Sequence, residues 1–362
     1  MTSPRARDIG IRIGPGDPGP LGAITDVPGV RVGHRTIVRG DDGDDGAVRT
    51  GVTAIFPSQE DPWAGWVYAG THILNGYGEM IGVNQLDEWG VLMSPIVLTS
   101  SLLIGSVYEA TVRWIAARDR EAGEEIMPVV TECDDSWLSD ALSFPVGGQD
   151  VAAALDGAVG GSVVEGNVGA GTGMACFDFK GGIGTASRIV PSTDPYTVGV
   201  LVLTNFGDRE RLQIDGVQVG REISDLLPTH HQDGSCVVVI ATDAPLLPHQ
   251  LRRLAARGGM GLAAVGSYAS NGSGEQMLAF STANRLTHGG APTTVHAIAD
   301  GPAEEGWLLS RLFEATVDAT QEAVVNAMFA AETMVGRHGR TLHAIPVDRV
   351  VDAMRRAGRP TA

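Results

Sequence analysis

Cysteine is scarce in these 362 residues. Cys133, Cys176 and Cys236 stand far apart, odd in number and without a C-x-x-C. That excludes a disulfide framework and a cysteine zinc site, and it fits a reducing compartment. Long apolar runs are missing too, since no segment reaches the roughly 18 uninterrupted apolar residues of a membrane helix. The opening MTSPRARDIGIRIG lacks an apolar core of signal-peptide length. Together these absences predict a cytoplasmic protein with no membrane partner. Positive charge is in deficit: 26 basic side chains against 43 acidic ones leave a net charge of -17, so no nucleic acid partner is expected. The nine histidines contain no H-E-x-x-H and no compact cluster with carboxylates. The acidic GDDGDDG (Gly40 to Gly46) lacks the glutamate that closes an EF-hand loop. Neither a metal nor a cofactor is expected.

What is present belongs to a large globular core. Hydrophobic residues make up 43% of the chain, and 49 glycines without a collagen-like period imply many tight turns and close backbone approaches. Strand-like pieces begin at Val30, Gly51 and Trp66, and GVLVLTNFG (Gly199 to Gly207) and CVVVIATDA (Cys236 to Ala244) read as buried strands. Helical character runs from Ser101 to about Ala117. PHQLRRLAARGG predicts a short helix with proline in its first turn and glycine at its end. The longest helix is predicted from about Leu308 to Val335, where Leu309, Leu312, Phe313, Val317, Val324, Met328 and Ala331 share one face. Strands mixed with helices point to sheet and helix layers and not to a bundle. With no internal repeat and no convincing linker, residues 1–362 are expected to form one domain.

Several short segments offer chemistry, each with a plainer reading. In HHQDGSCVVVI, from His230, the Asp233-Gly234 pair reads first as a turn in front of a strand. Gly169, Gly171 and Gly173 follow a dinucleotide-loop spacing, but no clear strand precedes them and no ribose-binding acid follows; a structural loop or a site wall is the better reading. Gly-Ser pairs occur at Gly234-Ser235 and Gly272-Ser273, neither inside a G-x-S-x-G elbow, which argues against an α/β-hydrolase. Asn205 ends a buried strand, where it could be a cap. Glu132 sits among acids in PVVTECDDSW, where it could be a solvated loop residue.

Taken together, ITDVPGVRVGH, LNGYGEMIG, GNVGAGTGMACFDFKGGIGTASR, GVLVLTNFGDRERL, ATDAPLLPHQLRRLAARGGMGLA, NGSGEQMLAFSTAN and EATVDATQEAVVNAMFAAETM are far more specific. Over almost its full length the chain resembles the DmpA-type family of self-processing N-terminal-serine aminopeptidases. These include L-aminopeptidase/D-esterases and β-peptidyl aminopeptidases, peptidase family S58. The resemblance implies an α/β fold, a four-layer α/β/β/α sandwich. It also implies a cut between Gly234 and Ser235 that yields an α chain, 1–234, and a β chain, 235–362, which stay together as a tetramer of αβ heterodimers. Ser235 is then the nucleophile. Ser273 and Glu275, matching the family's N-x-S-G-D/E stretch, support it, and Asn205 contributes to the oxyanion hole. Glu132 and Cys133 fall in the segment that lines the substrate pocket, whose substrate is a small molecule or short peptide with a free amine.

These residue types suit the task. A serine hydroxyl needs a nearby base, and a cut before Ser235 exposes an α-amine of pKa about 7.7 to 8.0 that can serve. Glycine at 234 leaves its own carbonyl open to attack and tolerates a strained backbone. An asparagine amide can donate to a developing oxyanion. Two segments depart from the family. Where some relatives place a tyrosine hydroxyl, TECDDSW carries Cys133 and Asp134; GVNQLDEWGVLMSPIVLTSSLLIGS is less polar than the family's run. Both imply a changed pocket. Two rival readings share the fold: an ornithine acetyltransferase-like acyltransferase, which transfer to an amine acceptor would reveal, and a silent ligand-binding protein, which would neither cut itself nor turn over acyl substrates.

Overall fold

The computed structural model describes residues 4–229, 234–287, 293–301 and 307–361. The expected turn before the β-branched run therefore falls partly outside the described residues, which resume at Gly234. The first half of the chain lays down strands β1 (Arg31–Arg39), β2 (Val48–Phe56), β3 (Trp66–Gly76), β4 (Met80–Ile81), β5 (Val91–Leu92), β6 (Ile96–Ser100) and β7 (Val129–Cys133). A short β8 (Ala175–Cys176) and β9 (Phe179–Lys180) precede β10 (Ile183–Val190), β11 (Tyr196–Asn205), β12 (Ser235–Thr242) and β13 (Gly274–Leu286).

Two sheets carry the fold. One has the order β1-β2-β6-β7-β4, the other β10-β11-β12-β13-β3-β5. Pairing is antiparallel except for β6 with β7 and β12 with β13. The strand that begins at Ser235 lies between β11 and β13, in the middle of its sheet.

Alternation along the central strands separates two apolar layers. Val237, Val239 and Ala241 join Leu201, Leu203 and the first sheet's Ile96 and Leu98 in a core between the sheets. Cys236, Val238 and Ile240 face the other way, against helices Pro248–Ala264 and Leu308–Ala330. A third core covers the outer face of the first sheet with helices Ile104–Ala116 and Gly148–Asp156. The result is the helix/sheet/sheet/helix sandwich that the resemblance implied. Burial on both faces also explains why β12 reads as an unbroken apolar run.

Two helix ends differ from the sequence reading. Helix Pro248–Ala264 begins at its proline, where Gln250 Oε1 accepts the Leu247 N–H over 2.9 Å. It then runs through the glycines expected to stop it. Of these, Gly258 packs on the sheet, where a methyl group would stand 3.1 Å from Met277 Cγ; three residues on, a methyl group at Gly261 would stand 2.5 Å from Thr320 Cβ, where two helices touch. The long helix stops at Ala330, short of Val335. Beyond it, Asn167 Nδ2 donates to the Glu332 carbonyl and Asn167 Oδ1 accepts the Glu332 N–H, which holds the chain extended despite its helical pattern.

Candidate active site

Three strand ends meet at one edge of the second sheet. Ser235 is the register partner of Asn205 in the β11–β12 pair and of Gly274 in the β12–β13 pair. Since side chains two residues apart share a face, Ser235 follows Val237 and Asn205 follows Leu203 into the layer between the sheets. Cys133, the last residue of β7, enters that layer from the opposite sheet. Burial and the adjacent Glu132 carboxylate push the Cys133 thiol well above the usual range, against an opposing hydrogen bond from the Ser235 hydroxyl. Cys133 is thus a neutral thiol, not a competing nucleophile.

Gly234 has no room for a side chain. A methyl group there would stand 2.1 Å from the Asn205 carbonyl oxygen and 2.6 Å from Phe206 Cα. Its backbone lies outside the left-handed region, so tight fit, and not the strain that glycine would tolerate, requires this residue. The Gly234 carbonyl oxygen accepts the Gly274 N–H over 3.2 Å. The bond expected to break is held by its neighbours on both sides.

Ser273 and Glu275 approach from the start of β13. The Ser273 hydroxyl donates to Glu275 Oε1. Burial raises the Glu275 pKa, with Ser273 and Asn75 opposing the rise. Glu275 shares its face with Met277 and Ala279, on the helix side of the sheet. The pair lines a small cavity together with Gly234, Phe206 and Tyr268. Among the described residues no hydrogen bond joins Ser273 to Ser235; the pair meets the Gly234 side of the peptide instead.

The Asn205 side chain is fixed from both ends. Oδ1 accepts the Ala175 N–H over 2.9 Å and Nδ2 donates to the Asp134 carbonyl over 2.9 Å. Since an N–H can only donate and a carbonyl can only accept, these partners decide the orientation of the amide. One Nδ2 hydrogen remains for a further acceptor.

Glu132 is almost fully buried. Its Oε1 accepts the Glu79 N–H over 2.8 Å and its Oε2 accepts the Ser101 hydroxyl. Burial, more than any neighbour, raises its pKa. No salt bridge reaches it among the described residues. A methyl group at Gly78 would stand 3.3 Å from Glu132 Oε1 and 3.5 Å from Gly274 Cα, so the carboxylate and the start of β13 border one narrow gap.

Sequence reasoning overlooked two buried ionisable groups behind the site. Asp135 is pushed up to about 7 by burial, against a hydrogen bond that Oδ1 accepts from the Ser100 hydroxyl over 2.7 Å. Lys180 is pulled down to about 7 by burial, against Cys176 and Asp135. It is the sequence's single lysine, in FDFKGGIG, and that rarity in an apolar, glycine-rich stretch was the available signal. The glycines of the supposed dinucleotide loop pack tightly: a methyl group at Gly173 would stand 2.2 Å from the Arg49 carbonyl oxygen. This is a structural loop behind the site. The described residues contain no group of three or more metal-ligating side chains, and no described helix is long and apolar enough to cross a membrane.

Residues 22–342 match the model of peptidase family S58. The chain belongs to peptidase family S58. This S58 peptidase is 43% identical to the β-peptidyl aminopeptidase BapA of Sphingosinicella xenopeptidilytica, over 98% of this chain and 92% of the relative. Among solved structures, the L-aminopeptidase D-Ala-esterase/amidase of Ochrobactrum anthropi, described as a variant of the Ntn hydrolase fold, has a TM-score of 0.91 at 42% identity, covering 98% of this chain and 99% of that one. The PH0078 protein of Pyrococcus horikoshii has a TM-score of 0.92 at 42% identity, covering 99% of this chain and all of the other.

Proposed function

We propose that this S58 peptidase is a self-processing serine aminopeptidase and amidase whose nucleophile is Ser235. The convergence of the Gly234–Ser235 peptide with Asn205, Gly274 and the Ser273–Glu275 pair carries this reading. In maturation, Ser235 Oγ attacks the Gly234 carbonyl carbon, whose oxygen already accepts the Gly274 N–H. The C–N bond breaks, the hydroxyl proton passes to the departing amine, and an ester links Gly234 to Ser235. Water then hydrolyses the ester, leaving a carboxylate on Gly234 and a free α-amine on Ser235. The chains 1–234 and 235–362 stay together because β12 and β13 lie between β11 and β3.

In turnover the freed amine takes the Ser235 hydroxyl proton and returns it to the leaving group, since its pKa suits work near neutral pH. The remaining Nδ2–H of Asn205 donates to the oxyanion. Glu132 binds the substrate ammonium, which needs a paired carboxylate once it leaves water. Small amino-acid amides, short peptides and esters with a free amine are the substrates. No cofactor is invoked, the three free thiols suit a reducing cytoplasm, and the heterodimers assemble as a tetramer.

Intact mass and N-terminal sequencing of the purified protein test the reading. Two chains are expected, the second starting Ser-Cys-Val-Val, whereas Ser235→Ala stays whole and inactive. A new terminus at Ser273 would move the nucleophile to the other Gly-Ser pair.

A further inference from the structure

The Met174–Ala175 peptide connects two groups that the reaction scheme leaves apart. Its carbonyl accepts Lys180 Nζ over 2.8 Å, and its N–H donates to Asn205 Oδ1 over 2.9 Å. Lys180 is fully buried, and Nζ reaches two further carbonyls, Gly171 over 3.1 Å and Gly181 over 2.8 Å. Three acceptors match the three donors of an ammonium group, whereas a neutral amine has only two. The carboxyl of Asp135 and the thiol of Cys176 are its titratable neighbours. Burying a cation is unfavourable, and tying loop carbonyls together does not by itself require one.

We infer that Lys180 is a positioning residue for turnover: it pins and polarises the Met174–Ala175 peptide, which in turn locks the Asn205 amide with one Nδ2–H free for the oxyanion. A carbonyl bonded to a cation makes its own peptide N–H a stronger donor, and such chains of hydrogen bonds reinforce one another. The Ala175 N–H then holds Oδ1 while the Asp134 carbonyl holds Nδ2. Rotating the Asn205 amide by half a turn would set donor against donor at Ala175 and acceptor against acceptor at Asp134. The Gly181 N–H also donates to the Met174 carbonyl over 2.9 Å, so loss of Lys180 removes the charge and one of two donors from that peptide and weakens its hold on Oδ1 without releasing it.

The inference rests on the oxyanion role proposed for Asn205, and a double-mutant cycle separates the two. Lys180→Met, Lys180→Gln, Asn205→Ala and Lys180→Met/Asn205→Ala are prepared as mature enzyme. Active sites are counted by covalent titration of Ser235 with an aryl sulfonyl fluoride, so that misfolded protein does not enter the rates. With unblocked alanyl p-nitroanilide, loss of an oxyanion donor costs about 10²–10³ in kcat. Lys180→Met is expected to lose about tenfold to a hundredfold in kcat per titrated site with KM within about twofold, Lys180→Gln somewhat less, as its amide can still reach one carbonyl. The double variant is expected to be no slower than Asn205→Ala alone. Wild-type kcat per titrated site in both lysine variants, or losses that multiply in the double variant, would overturn the inference. So would failure of both variants to mature or titrate, which assigns Lys180 to the fold alone. Wild-type kcat in Asn205→Ala removes the oxyanion reading itself, and the role of Lys180 with it.

Discussion

Gly274 donates its backbone N–H to the carbonyl oxygen of Gly234 over 3.2 Å. The carbonyl to be attacked is thereby polarised and held in line with the β12–β13 ladder, while the Asn205 carbonyl and Phe206 close the space where a side chain would stand. Gly234→Ala must push one of these backbones aside. The variant is expected to lose about 1–3 kcal/mol of stability and to remain mostly a single chain. Thermal melting and intact mass check both effects. Normal maturation at wild-type stability would mean that the strand ends part freely and that the tight fit is irrelevant to cutting.

The Ser273–Glu275 pair borders the Gly234 side of the peptide, so it is placed to affect both cutting and turnover. Ser273→Ala and Glu275→Gln are each expected to lengthen maturation and to lower kcat by about 10²–10⁴, the range of general acid–base contributions. Asn205→Ala is expected to lower kcat far more than it raises KM. Time courses of chain cleavage alongside steady-state kinetics separate these effects. A pair variant that matures at the normal rate but turns over slowly would confine Ser273 and Glu275 to the second reaction.

Glu132 accepts hydrogen bonds from the Glu79 N–H and the Ser101 hydroxyl; in Glu132→Gln the amide oxygen can still accept from Glu79 while the amide nitrogen donates to the Ser101 oxygen, so the charge is lost with the contacts kept. Glu132→Gln is expected to raise KM for alanyl p-nitroanilide by about 10²–10³, the scale of a buried charge pair broken on one side. Self-cleavage should persist, because the Gly234–Ser235 peptide carries no free amine at that point. N-acetylated alanyl p-nitroanilide is expected to be inert with either enzyme. Equal turnover of the acetylated substrate would rule out ammonium recognition.

Asp135 gives a pH signature of the folded state. Burial lifts its pKa to about 7, above the unfolded value of about 3.9. Between those values the folded carboxyl keeps a proton that the unfolded one has lost, so this group's contribution to stability falls as pH rises, by up to about 1.4 kcal/mol per pH unit. Glu165, also lifted to about 7 by burial, adds a slope of the same sign. Lys180, pulled down to about 7, acts with opposite sign but only above that pH. Asp135→Asn, which can still accept the Ser100 hydroxyl, is expected to flatten the decline between about pH 4 and 7. Melting temperatures across that range decide it, and an unchanged slope would mean that Asp135 is ionised in the folded protein.

Much of this protein was legible in its residues. β12 was readable because a strand buried on both faces leaves a short β-branched run bounded by turns, and helix Pro248–Ala264 because proline marks its first turn. The candidate residues Ser235, Asn205, Ser273, Glu275 and Glu132 came from motif resemblance, and local pattern alone gave each of them a plainer meaning. Tertiary structure decided the rest. Gly261 is a helix contact because Thr320 lies 2.5 Å from where its methyl would be, and Ala330 ends a helix because Asn167 holds Glu332. It also put Ser235 and Asn205 between the sheets but Glu275 on the helix side, and it joined Lys180 to Asn205 through one peptide. Periods of two and 3.6 report the neighbours a residue has along its own chain. They carry no record of which distant carbonyl a buried ammonium will meet, since that is settled only when the layers pack.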